Sequence, residues 1–268
     1  MKVGFFQFAP KFGEIQHNLN VILQAIEEFS GDLLVFPELA LSGYQFTSKA
    51  EVEELSQETA GCPALQRIQT ALQGGGLYVV LGFAERVGGN LYNSALLIGP
   101  RGPLGLYRKT HLFFEETLWF SPGNTGFQVW DIGTAKVGIM VCFDWFYPES
   151  ARTLALNGAE ILCHPSNLVL PYCPDAMVTR CLENRVFTVT ANRIGLEERG
   201  GKPPLRFIGM SEVVAPNGQI LFRAPESETS LYACDIDIAQ ARNKRINPYN
   251  DLLKDRHPQW YAEGTAGE

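Results

Sequence analysis

The sequence lacks any apolar run long enough to cross a bilayer. Its longest uncharged stretch, Ile68 to Ala84, is interrupted by Gly74-Gly75-Gly76, which excludes a transmembrane helix there. The start, Met1-Lys2-Val3-Gly4-Phe5-Phe6, has neither the apolar core nor the small-residue cleavage site of a secretion signal. Basic residues are in deficit, 22 against 29 acidic ones, for a net charge of -7, and no basic patch marks a nucleic-acid binder. The cysteines at 62, 142, 163, 173, 181 and 234 form no C-x-x-C pair, so reduced thiols and a cytoplasmic location are expected. The four histidines have no metal-ligand spacing, so no metal is expected. No Pro/Ser-rich linker divides the chain, and one domain spanning 1–268 is expected.

What is present is a chain of 268 residues, 46% hydrophobic, enough to bury a full core. Apolar positions at Ile15, Leu19, Ile22, Leu23, Ile26 and Phe29 have helical spacing. Further helices are expected over Glu51–Leu55, Ala64–Leu72, Pro148–Asn157 and Asp175–Glu183. Strands are expected over Lys2–Phe8, Leu33–Phe36, Leu77–Phe83, Leu91–Ile98, Leu104–Tyr107, Phe127–Asp131, Lys136–Val141 and Glu160–His164. The remainder is β-rich: Val186–Ala191, Phe207–Val214, Ile220–Arg223 and Leu231–Ile236, with a turn at Pro216-Asn217-Gly218. This alternation implies an α/β protein with mixed sheets. One weak echo, Lys2-Val-Gly and Lys136-Val-Gly, hints at a duplicated layer.

Three chemistry-bearing residues each follow an apolar strand pattern: Glu38, Lys109 and Cys142. Open α/β sheets present reactive groups at such strand ends. Taken singly, each has an ordinary reading: a capping acid, a solvated lysine, a small buried thiol. Taken together they form a kit of nucleophile, proton carrier and oxyanion-stabilising cation. A Cys–His arrangement would instead need His111 or His164. His164 precedes a proline at an apolar strand end and is read as satisfying a backbone group.

Leu34-Val-Phe-Pro-Glu38-Leu-Ala-Leu-Ser-Gly-Tyr44, Tyr107-Arg-Lys109-Thr-His-Leu-Phe113 and Gly138-Ile-Met-Val-Cys142-Phe-Asp-Trp-Phe-Tyr-Pro-Glu149 resemble the glutamate, lysine and cysteine motifs of the nitrilase superfamily of carbon–nitrogen hydrolases. Their order and their spacings of 71 and 33 residues match as well, and the resemblance runs from about Lys2 to about Trp260. It implies a four-layer α-β-β-α sandwich with two mixed sheets. It implies Cys142 as nucleophile, Glu38 as general base and acid, and Lys109 with the Phe143 N–H as oxyanion donors. It places Glu116, rather than Glu115, as a second glutamate orienting Lys109 and Glu38. Tyr44, Phe143, Trp145 and Asn167 are expected to line the substrate pocket, Glu183-Asn184-Arg185 to contain a structural ion pair, and Asp144 and Arg152 to serve local architecture. No cofactor is implied. A homodimer is, with residues 241–268 as a C-terminal arm.

The residues after Cys142, Phe143-Asp-Trp145-Phe146-Tyr147, contain no arginine for a substrate carboxylate and no Trp-Glu pair of the kind found in aromatic nitrilases. They suggest a compact apolar pocket and a small neutral amide. Small aliphatic nitriles come second and N-carbamoyl compounds third. A non-catalytic scaffold would have no need to keep this triad.

Overall fold

Two six-stranded sheets pack face to face and helices cover both outer surfaces. The structure, a computed structural model, describes residues 1–261, so the end of the expected arm, 262–268, lies outside the described residues. In chain order the first half holds β1 (Lys2–Gln7), α1 (Ile15–Glu28), β2 (Leu33–Val35), α2 (Lys49–Leu55), α3 (Pro63–Leu72), β3 (Tyr78–Val87), β4 (Asn90–Gly99), β5 (Gly102–Arg108) and α4 (Glu116–Trp119). Next come β6 (Val129–Asp131), β7 (Lys136–Ile139), a 3-10 turn (Cys142–Phe146), α5 (Pro148–Leu156), β8 (Ile161–Pro165), α6 (Cys173–Asn184) and β9 (Phe187–Ala191). The chain continues through β10 (Ile194–Glu197), β11 (Leu205–Ile208), β12 (Glu212–Val214), β13 (Ile220–Arg223), β14 (Ser230–Asp235) and α7 (Ala239–Arg242).

One sheet has the order β14-β1-β2-β3-β4-β5 and the other β13-β12-β9-β8-β7-β6. Read from β14 and from β6, both follow one pairing pattern: antiparallel, parallel, parallel, antiparallel, antiparallel. The Lys-Val-Gly echo falls on equivalent strands in equivalent register. Val3 faces Leu33 and Gly4 faces Leu34, as Val137 faces Ile161 and Gly138 faces Leu162. The two glycines leave room for different neighbours: a Cβ on Gly4 would sit 1.9 Å from the Tyr232 carbonyl oxygen of β14 and 2.6 Å from the Phe29 ring, and one on Gly138 2.9 Å from Leu154 of α5.

Strand alternation sorts the core. Val3, Phe5, Leu33, Val35 and Val80 turn inward to meet Val137, Ile139, Ile161, Cys163 and Val189 of the opposite sheet. Leu34, Phe36, Val79, Leu81 and Phe83 turn outward onto Leu19, Ile22 and Ile26 of α1 and Leu65, Ile68 and Leu72 of α3. Burying each such Leu, Ile or Phe contributes about 1.5–3 kcal/mol. On the other outer face, α5 buries Ala151 and Leu154 but leaves Leu156 exposed. In the tail, Tyr249 and Trp260 are exposed while Leu252 and Leu253 are half-buried.

Three expectations need correction. The strand expected over Phe207–Val214 is broken at Gly209 and Met210, both at positive φ, so β11 pairs with β10 in a separate hairpin and only β12 joins the large sheet. Apolar patterning runs through this break because residues on both sides of it are buried. The strand expected over Lys136–Val141 ends at Ile139. The ion pair expected within Glu183-Asn184-Arg185 is absent among the described residues. Arg185 closes α6 in the left-handed region and donates to the Asn243 carbonyl, while Glu183 pairs with Arg180 one helical turn back, at 3.0 Å.

Candidate active site

Glu38 is delivered by the end of β2. Phe36 N–H still bonds Val80 O on β3, Ala40 N–H bonds Gly82 O, and the chain bends between them at Leu39, φ 49°. Gly82 makes that approach possible, since a Cβ there would lie 2.5 Å from the Glu38 Cα. Lys109 follows β5 and is held by its own N–H to Asn93 O at 2.8 Å. Glu116 begins α4, one turn after Phe113, whose N–H it accepts at 3.2 Å.

The three side chains meet in the interior. Lys109 Nζ donates to Glu38 Oε1 at 2.7 Å and to both oxygens of Glu116 at 2.8 and 2.7 Å. Glu38 Oε1 also accepts from Asn93 Nδ2 at 2.6 Å, whereas Glu38 Oε2 is buried without a partner among the described residues. Glu115, the neighbour, turns away to Lys202.

Cys142 sits at φ 43°, a conformation disfavoured by roughly 1 kcal/mol or more for a side chain with a Cβ. Asp144 holds the turn: it accepts from Val141 N–H at 2.8 Å, Tyr107 Oη at 2.7 Å and His111 N–H at 3.1 Å. One carboxylate thus buckles the cysteine turn to the segment carrying Lys109. From below, His164 Nε2 lies 2.9 Å from the Cys142 carbonyl oxygen. A carbonyl only accepts, so Nε2 carries the proton and Nδ1 accepts from Thr190 Oγ1 at 3.2 Å. This is the backbone role read for His164 from the sequence. Leu39, Phe114 and Cys142, all non-glycine residues at positive φ, lie at or beside the three motifs, where strained backbone tends to collect.

A narrow pocket, about 20 Å³ in volume, opens at Cys142 between Phe113, Phe143, Trp145, Asn167, Leu168 and Leu170. Asn167 is buried and both polar atoms of its side chain lack partners among the described residues. Tyr44 is not part of this lining, and its hydroxyl donates instead to Glu116 Oε1 at 2.7 Å. A wider surface groove between α1 and α3 carries no nucleophile.

Burial dominates the electrostatics. It raises Glu38 above the ordinary carboxylate range, with Lys109 opposing and Glu116 assisting. It raises the Cys142 thiol well above its usual value. Glu38 adds to that rise, while Lys109 and an N–H contributed by Asn167 oppose it. For Lys109 burial acts downward, but Glu116 and Glu38 outweigh it and raise the group, which stays an ammonium. The resting thiol is therefore protonated, and its proton must leave as sulfur reacts.

Burial also pushes His164 down to about 4. Its unfolded value is near 6.5, so between about 6.5 and 4 the unfolded chain binds a proton that the folded chain refuses. Stability is lost as pH falls through that window, by about 3 kcal/mol. His164→Asn removes the titration. The stability gap between wild type and variant in urea melts is expected to narrow from pH 7 to pH 4. A gap independent of pH would disprove the burial of a neutral His164.

Two groups escaped the sequence reading. Asn93 stands in an apolar strand, and its only signal was a polar pair, Asn93-Ser94, amid Leu91, Tyr92 and Ala95. Arg193 and Glu197, a buried pair behind Tyr44, gave no signal at all.

The fold and the site can be set against known proteins. A family described as "Carbon-nitrogen hydrolase" matches residues 2–246. A nitrilase of Pyrococcus abyssi is 46% identical over 97% of this chain and 99% of its own. An (R)-stereoselective amidase of a Pseudomonas species is 37% identical over 99% of this chain and 94% of its own. The amidase of Nesterenkonia sp. AN1 superposes with a TM-score of 0.79 at 26% identity, over 97% of this chain and 95% of that one, and one of its variants holds the acetamide moiety of fluoroacetamide on the active-site cysteine. Family match, architecture and relatives agree: this chain belongs to the carbon–nitrogen hydrolases.

Proposed function

We propose that the protein hydrolyses a small neutral amide to carboxylate and ammonia through a thioester on Cys142. The observation that carries this reading is a buried ammonium, Lys109, shared by two carboxylates, with Glu38 Oε2 unpartnered among the described residues and the Glu38 charge acting on the Cys142 thiol. Glu38 Oε2 takes the thiol proton as Sγ bonds to the carbonyl carbon. The oxygen that gains charge is met by Lys109 and the Phe143 N–H. The C–N bond then breaks and ammonia leaves with the proton from Glu38. Water enters, gives a proton to Glu38 and attacks the thioester, and sulfur departs and recovers that proton. Glu116 holds Lys109 in place throughout.

Asn167 favours an amide over a nitrile. Its unpaired oxygen needs a donor and its unpaired nitrogen needs an acceptor. A carboxamide supplies both, and a nitrile supplies no N–H. The other lining residues are apolar, with no cation to hold a substrate carboxylate. The kinship with an enzyme named a nitrilase keeps small aliphatic nitriles as the second reading, since a thioimidate would form on the same groups.

A panel of matched small amides, nitriles and N-carbamoyl compounds, with ammonia release as readout, tests this. Amides are expected to exceed the corresponding nitriles at least about tenfold in kcat/KM, the discrimination that unpaired buried polar groups provide. Intact-mass spectra during turnover should show one acyl adduct on Cys142. Nitriles outrunning amides would make the enzyme a nitrilase.

A further inference from the structure

The β10–β11 hairpin belongs to neither large sheet, yet it reaches the site through one buried ion pair. Arg193 and Glu197 are both buried. Arg193 is held on several sides: it donates to Glu197 Oε1 and to Pro10 O at 3.0 Å, and its guanidinium lies 4.0 Å from the Phe207 ring centroid. Glu197 then spends its remaining capacity on the backbone of the glutamate motif. It accepts from Tyr44 N–H at 3.1 Å and from Gln45 N–H at 2.6 Å. The Tyr44 ring meets Phe207 edge-on, at 5.9 Å and 85°. Backbone and ring of Tyr44 are thus both clamped by the hairpin. The hydroxyl at the end of that clamped ring donates to Glu116 Oε1.

Two charges taken out of water are costly, and such a pair is a poor way to gain stability alone. What this one does is define the position of a single hydroxyl. The Glu116 carboxylate is fixed at two points besides Lys109: Oε2 by the Phe113 N–H and Oε1 by Tyr44. An ammonium has three donors. Glu38 Oε1 and both oxygens of Glu116 lie within reach of them, so one donor must turn from Glu116 to the substrate oxygen while the other two hold. If Glu116 swivels, Lys109 follows and that donor loses its aim.

We infer that Tyr44 is a positioning residue for the Glu116–Lys109 pair, and that Arg193 and Glu197 act on catalysis through it. The inference rests on the reading of Cys142, Glu38 and Lys109 given above. It also separates two roles for Tyr44. A substrate-contacting tyrosine alters KM, whereas a tyrosine that aims an oxyanion donor alters kcat, because that charge exists only in the transition state.

The test is a double-mutant cycle in the full chain on the best amide of the panel. Tyr44→Phe keeps the ring on Phe207 and removes only the hydroxyl. It is expected to lower kcat about tenfold with KM unchanged within about twofold, the loss typical of a mispositioned donor. Glu197→Gln should do the same, and the double variant should fall no more than about twofold below the slower single one, because both remove one linkage. If Glu197→Gln does not fold, Glu197→Asp replaces it, keeping the charge beside Arg193 with a carboxylate one carbon short of the Tyr44 N–H. A Tyr44→Phe variant with raised KM and unaltered kcat would overturn the inference, as would losses that multiply in the double variant. Cys142→Ala runs alongside. Residual full turnover there would sink the nucleophile assignment, whereas an inert Cys142→Ala with a multiplicative cycle would sink the positioning role alone.

Discussion

Cys142→Ala is expected to lower ammonia release by roughly four orders of magnitude or more, the scale seen when a covalent nucleophile is removed. The protein should stay folded. The thiol lies in the pocket wall rather than in the centre of the inner core, and its deletion removes a single buried sulfur, worth about 1 kcal/mol or little more. The turn at φ 43° does not depend on it, because Asp144 and His164 hold that turn through backbone groups. A melting temperature a few degrees below wild type would accompany the loss, on the order of 2–4 °C per kcal/mol for a chain of this length. Cys142→Ser should be nearly as inactive, since Glu38 would have to activate a much weaker acid than a thiol. The thiol is already raised by burial, so the site has little driving force to spare. Alkylation mapped by mass spectrometry gives an independent check. Cys62, Cys163, Cys173 and Cys181 are buried outside the pocket lining, and half-buried Cys234 on β14 is the accessible control thiol; a small haloacetamide that enters the pocket should label Cys142 faster than Cys234. Full activity in the alanine variant would move the nucleophile elsewhere.

Lys109→Met is expected to cost both activity and stability, with a pH signature that separates the two. Methionine replaces the lysine stem at similar length but leaves Glu38 and Glu116 facing one another without their shared cation. Removing one partner of a buried charge set costs about 3–5 kcal/mol. Without the ammonium, like-charge repulsion adds to the burial that already raises Glu38. A carboxylate whose folded pKa lies above its unfolded one keeps a proton that the unfolded chain releases. Its stabilising contribution is complete below the unfolded value and is lost as pH rises through the folded value. Lys109→Met should therefore be least stable at alkaline pH and should recover toward pH 5. Adding Glu116→Gln, which removes one of the two charges, should restore stability at pH 8. It should not restore turnover, because the oxyanion donor is still missing, a loss of roughly 3–4 kcal/mol in transition-state stabilisation. Chemical denaturation at pH 5 and pH 8 reads the first effect and ammonia release the second. Equal destabilisation at both pH values would show that the carboxylates do not depend on Lys109.

Substrate choice turns on fewer groups than catalysis does. Around Cys142 the pocket is apolar except for Asn167, so its lining sorts compounds by the volume of the group that meets Phe113, Phe143, Trp145 and Leu170. Glu38, Lys109 and Glu116 are not part of that lining.

The amino-acid sequence by itself determined the elements whose causes are local. Helix α1 was legible because its buried residues, Leu19, Ile22, Ala25 and Ile26, recur at helical spacing. Glu38, Lys109 and Cys142 stood out as candidates because each follows an apolar strand and carries chemistry that the core has no use for. The duplicated layer was hinted at by Lys-Val-Gly, which falls on equivalent strands in equivalent register. Only the tertiary structure decided which distant groups would be neighbours. Asn93 reaches Glu38 across 55 residues, Tyr44 reaches Glu116 across 72, and Glu197 reaches the Gln45 backbone across 152. No window of sequence contains these pairs, and their geometry follows from how sheets and hairpin stack. The break at Gly209 and Met210 was hidden for the same reason: apolar residues continue on both sides because two different surfaces bury them, and periodicity records burial without recording against what. Tyr44 marks the boundary most sharply. Its place beside the site was legible in its motif, but its hydroxyl's partner was settled by the packing of Phe207 and Glu197 behind it.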